Sequence, residues 1–76
     1  MKATAIAQTI NESGQTYCGH KAKGWDGESV SRVYFGSDYV TIESDGEIHN
    51  RRSGKARAMT IGWTAVEMVE AVLEVA

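Results

Sequence analysis

The stretch that most constrains this chain runs from Ser29 to Arg52, where two glycine-bearing turn signals interrupt residues that alternate between apolar and polar. Gly36-Ser37 suits a two-residue type II′ turn, whose first position has positive φ and so favours glycine. Such a turn pairs Phe35 with Asp38, Tyr34 with Tyr39 and Val33 with Val40. The next turn admits two readings. A two-residue Asp45-Gly46 loop sets Ile48 opposite Glu43, whereas a three-residue Ser44-Asp45-Gly46 loop with left-handed glycine sets Ile48 opposite Ile42. The second is preferred, because a slip of one residue swaps the faces of that strand. In this register Val33, Phe35, Val40, Ile42 and Ile48 share one face, and Arg32, Tyr34, Tyr39, Thr41, His49 and Arg51 share the other. One side of the meander is a core; the other is aromatic and basic.

A helix is predicted at the C-terminal end. Thr64-Ala65-Val66-Glu67 is a capping box: the Thr64 hydroxyl accepts from the third helical amide while Glu67 reaches back to the cap amide. Trp63 and Met68 then occupy the two positions of a hydrophobic staple. Val66, Val69, Leu73 and Ala76 follow at helical spacing with Met68, Val72 and Val75 beside them, while Glu67, Glu70 and Glu74 form an acidic ridge opposite. The apolar stripe is expected to cover the apolar side of the meander.

Composition sets the scale. In 76 residues there are seven Val, five Ile, one Leu and one Phe, a β-branched bias that suits pleated sheet. A chain of this length forms one domain, residues 1–76, with a thin core. With a net charge of −2 it lacks the strong charge of a disordered chain. Residues 1–24 have two readings. Thr4 to Ile10 and Gln15 to Ala22 form a hairpin in the preferred one; in the other, Ala3, Ile6, Ala7 and Ile10 line a short helix ended by Gly14. Lys23 to Glu28 reads as a connecting loop. The expected fold is α+β: a four- or five-stranded antiparallel sheet, a meander, with one C-terminal helix packed on one face. Met1 to Ile10 lacks the apolar core of a signal peptide, and no run approaches the roughly 18 residues of a membrane span, so a cytoplasmic protein without membrane contact is expected.

Several chemistries find little support. A zinc site needs three or four protein ligands, and Cys18, His20 and distant His49 do not supply them, so neither metal nor cofactor is expected. Cys18 as a nucleophile needs a base, an orienting group and a cleft. Gly24-Trp25-Asp26-Gly27 matches a bare GxxG, but lacks the flanking helices of a nucleic-acid clamp and places an acid where phosphate would lie. Glu43, Glu47 and the helix glutamates read as solvated surface charge. No catalytic residue is assigned, and the chain is read as a non-enzyme.

The functional signal lies in His49 to Arg57, where Arg51, Arg52, Lys55 and Arg57 hold half of the eight basic side chains. Joined to Arg32, Tyr34 and Tyr39, they combine cations with aromatic rings. That mixture marks protein interface hot spots and also single-strand nucleic-acid binders. The overall acidity, with pI near 5.6, favours a protein partner. Glu67, Glu70 and Glu74 form a possible second contact ridge, set apart from the basic loop as the opposite pole of the surface.

In size, in its antiparallel sheet with a C-terminal helix, and in pairing acidic ridges with a basic loop, the chain resembles the small phage-encoded inhibitors of the anti-CRISPR type. The resemblance implies a stoichiometric inhibitor of a host or defence nucleoprotein complex that acts by steric or electrostatic occlusion in the cytoplasm of a bacterial host. It transfers no residue role. Two alternatives stand beside it: a single-stranded nucleic-acid-binding protein that uses the same face, and a subunit of an oligomer. The expected state is a monomer or homodimer.

Overall fold

A computed structural model describes residues 3–58 and 65–76. The elements are α1 (Ala3–Glu12), β1 (Ala22–Asp26), β2 (Val30–Phe35), β3 (Asp38–Glu43), β4 (Glu47–His49), β5 (Ala56–Ala58) and α2 (Ala65–Val75). The strands form one antiparallel sheet in sequence order, β1-β2-β3-β4-β5. The α+β class, the meander and the C-terminal helix are as expected.

Both predicted turns set the expected register. Gly36 has φ +65° and Ser37 does not share its positive φ, as a type II′ turn requires. Tyr34 pairs with Tyr39 and Val33 with Val40. Gly46, at φ +94°, closes the three-residue loop by donating to the Glu43 carbonyl at 3.0 Å, and Ile48 stands opposite Ile42. Val33, Phe35, Val40, Ile42 and Ile48 are all buried.

Residues 1–24 depart from the preferred hairpin. The alternative reading holds: α1 buries Ala3, Ile6, Ala7 and Ile10 and is followed by Gly14 at φ +77°. Thr4, Ile6, Thr9 and Ile10 are β-branched, but packing on the sheet outweighs such modest propensities. Three contacts fix the helix. The Asp26 carboxylate accepts from the Ala3 amide at 2.7 Å, the Thr4 amide at 3.3 Å and the Thr4 hydroxyl at 2.6 Å, supplying the N-terminal anion that the first turn of α1 lacks. Asn11 makes two 2.8 Å bonds with the backbone of Ala22 through its side-chain amide, satisfying part of an edge strand. Gly24 lets the backbones touch, since a Cβ there would lie 2.4 Å from the Thr4 Cα.

Lys23 to Glu28 is likewise corrected from loop to strand through Asp26. In place of a second hairpin arm, Gln15 to Ala22 holds a tight turn with paired backbone bonds between Tyr17 and His20; Cys18 and Gly19 both have positive φ.

The sheet therefore carries two helices on its apolar side. Ile6 and Ile10 from α1 join Val69, Val72 and Val75 from α2 in one core with the inward strand residues. On the sheet α1 packs against β1 and β2 and α2 against β4 and β5, and the two helices also touch each other. Glu67, Glu70 and Glu74 are exposed as the ridge predicts, while Leu73 and Met68 are half-buried. α2 begins at Ala65; the Thr64 cap and the Trp63 staple lie outside the described residues.

Candidate binding face

Among the described residues no helix covers the other side of the sheet. The register arranges its side chains in rows. Lys23, Tyr34 and Tyr39 form one row across β1, β2 and β3, and Trp25, Arg32, Thr41 and His49 form the next across β1 to β4. Such rows bring side chains within reach of their cross-strand neighbours.

Arg32 is the centre of the cluster. Its guanidinium carbon lies 4.7 Å from the centroid of the Tyr39 ring and 6.0 Å from that of Trp25. Nη1 donates to the Tyr34 hydroxyl at 3.3 Å, while Nε is buried without an acceptor. Tyr34 and Tyr39 meet at 5.4 Å between centroids with their planes tilted by 46°. The hydrogen bond to Tyr34, with the nearby phenol groups, raises the guanidinium pKa further, so Arg32 stays charged. Trp25 is 49% exposed. Gly27 leaves room for its ring: a Cβ at Gly27 would lie 2.5 Å from Trp25 Cη2. A cleft of about 400 Å³ is lined by Lys23, Gly24, Trp25, Arg32, Tyr34 and Gly36.

His49 stands on the same face and forms a 2.9 Å bond with the Glu43 carboxylate. Thr41 points outward but is only 5% exposed, flanked by the longer side chains of Arg32 and His49. Arg51, Arg52 and Lys55 project from the β4–β5 loop and are exposed. That loop is organised by Asn50, which is 2% exposed. Asn50 Oδ1 accepts from the Arg52 and Ser53 amides at 3.0 and 3.3 Å, and Nδ2 donates to the Asp38 carboxylate at 3.2 and 3.3 Å. The basic loop is therefore fixed to the β3 end that bears Tyr39.

Arg57 is elsewhere. It pairs with Ile48 in the ladder, so its side chain points to the helix side, where Nη1 donates to Glu74 Oε2 at 2.6 Å. The expected separation of the basic segment from the acidic helix thus gives way at this point to an ion pair between them. Trp25 and Lys23 were outside the predicted site residues. Their signal was the alternation Ala22, Lys23, Gly24, Trp25, whose inward positions are too small to read as an apolar period.

Among the described residues no group of three or more His, Cys, Asp or Glu is arranged to hold a metal ion, and no helix is long and apolar enough to cross a membrane. Comparison of the chain with family models, curated proteins and solved structures finds no match.

Proposed function

We propose that the chain is a stoichiometric binding protein that presents its open sheet face to a larger protein assembly and acts by occluding the surface it covers. The observation that carries this reading is the cluster of Trp25, Arg32, Tyr34 and Tyr39, assembled before any partner arrives on a face that no described helix protects. Rigid aromatic side chains around an ordered arginine lose little conformational freedom on association and are the residue types that dominate interface energetics. The format shared with anti-CRISPR-type inhibitors supports a host or defence nucleoprotein complex as the target and inhibition as the outcome.

The second reading, direct binding of single-stranded nucleic acid, draws on Arg51, Arg52 and Lys55, which the Asn50 loop displays at the Tyr39 end of the sheet. Site-specific photocrosslinking in bacterial cells separates the two. A photoreactive phenylalanine derivative replaces Val30, at the rim of the open face, or Glu70, on the helix side. Protein adducts from position 30 and none from position 70 are expected. Adducts confined to position 70 would move the interface to the helices, and nucleic acid in the position 30 adduct would establish the second reading.

A further inference from the structure

The open face carries a cation whose charge nothing in the described molecule balances. Arg32 makes one hydrogen bond, to the Tyr34 hydroxyl, and no described carboxylate forms an ion pair with it. The nearest outward acid on β3, Glu43, is already bonded to His49. A guanidinium has five donors and no acceptor, and here its carbon lies 4.7 Å from the Tyr39 ring and 6.0 Å from the Trp25 ring while Nη1 donates to Tyr34. Beside it, Lys23 lines the same cleft of about 400 Å³. The cleft thus offers two cations, aromatic walls and, with Nε buried, the remaining donors of Nη1 and Nη2.

We infer that this cleft between β1 and β2 seats a carboxylate side chain of the protein partner, held by Arg32 and Lys23 and walled by Trp25 and Tyr34. The inference rests on the reading of this face as a protein-binding surface and names the chemistry that surface recognises. Charge complementarity points to an acidic segment. A fixed guanidinium fork matches a carboxylate in two parallel bonds, and its order before binding lowers the entropy lost on docking. The ring geometry argues against a nucleic-acid strand as occupant. Bases stack on open aromatic faces, but the guanidinium lies over Tyr39, and Tyr34 and Tyr39 lean against one another. A strand also needs a track of cations along the whole face, whereas beyond Arg32, away from the basic loop, the outward positions are Glu43 and Glu47.

The test is an NMR titration of the full chain at low salt with two probes of equal formal charge: a capped glutamate-rich peptide and an oligothymidylate. The readouts are the Arg32 Nε–H and Trp25 indole N–H resonances, the latter assigned with Trp25→Phe. The peptide is expected to shift both. Arg32→Lys, which keeps the charge and loses the fork, should weaken the peptide about fivefold or more. Lys23→Gln should weaken it about threefold and Arg52→Gln less than about twofold. An oligothymidylate that shifts the same resonances at lower concentration overturns the proposal, and so does a peptide that shifts neither. If the peptide fails while crosslinking from position 30 still captures protein, the carboxylate seat is rejected and the protein-binding reading stands.

Discussion

Neighbouring residues of β2 meet opposite surroundings. Val33 and Phe35 are 0% and 2% exposed beneath the helices, while Arg32 and Tyr34, alternating with them, face outward in a cluster of rings and one guanidinium. The inward side is finished by Val, Ile and Phe side chains under two helices, with Gly24 and the Asp26 and Asn11 side-chain bonds bringing α1 close. The outward side is finished by half-buried Tyr34 and Tyr39 and by Trp25, which is exposed. On the proposed reading one sheet divides its work: the covered face supplies stability, and the open face supplies recognition. Substitutions on the first should change unfolding and affect binding only through it, and substitutions on the second should do the reverse.

The largest effect is expected at the centre of the covered face. Ile48→Ala empties a fully buried site and should cost about 3 kcal/mol, measured by urea unfolding. Gly24→Ala tests the close approach of α1 to β1. Its new methyl meets backbone atoms of Ala3 and Thr4 rather than a movable side chain, and the loss should be about 2 kcal/mol with reduced helix content by circular dichroism. A neutral outcome would mean that α1 docks elsewhere.

Asn50→Ala probes the junction between the faces. It strips the Arg52 and Ser53 amides of their acceptor and Asp38 of a donor, at a cost of about 2 kcal/mol. Hydrogen exchange in residues 50–55 should rise more than in the strands.

Asp26→Ala should cost at most about 1 kcal/mol, because the carboxylate is exposed and screened. The same group gives a pH dependence. Its hydrogen bond with the Thr4 hydroxyl, opposed in part by desolvation and helped by the Ala3 and Thr4 amides, holds its pKa below the ordinary value. A carboxylate depressed on folding contributes its stability above the unfolded pKa and loses it as pH falls through the folded one. Acid titration of the wild type should therefore show a loss below the ordinary carboxylate pKa that Asp26→Ala lacks.

Sequence alone reached the middle of this molecule better than its ends. The meander was legible because Gly36-Ser37 and Ser44-Asp45-Gly46 are turns with stereochemical demands, and the alternation around them is long enough to fix which face each residue takes. β1 was hidden because its inward positions are Ala22, Gly24 and Asp26, chosen for close backbone approach and helix capping rather than for apolar bulk. α1 was a choice between two periods, and what decides it are contacts of Ala3, Thr4 and Asn11 with Asp26, Gly24 and Ala22 that are distant in sequence or invisible in composition. Arg32, Tyr34 and Tyr39 were readable as neighbours from the register. Trp25, read as part of a loop, could be placed against the core or left for a partner, and only the β1 register sets it beside Arg32. Arg57 was grouped with Arg51 and Arg52 by proximity along the chain, whereas the three-residue strand β5 turns it toward α2 and Glu74.

The smallest effect on folding is expected where the effect on binding is largest. Trp25→Thr keeps a strand-forming residue and removes a ring that is 49% exposed, so stability should change by less than about 0.5 kcal/mol. The decisive measurement is the yield of protein adduct from the photoreactive group at position 30 in this variant, once its urea midpoint has been matched to the wild type. The division of work between the faces predicts that the yield falls to the background seen from position 70. A Trp25→Thr protein that is equally stable and crosslinks as well as the wild type would contradict it.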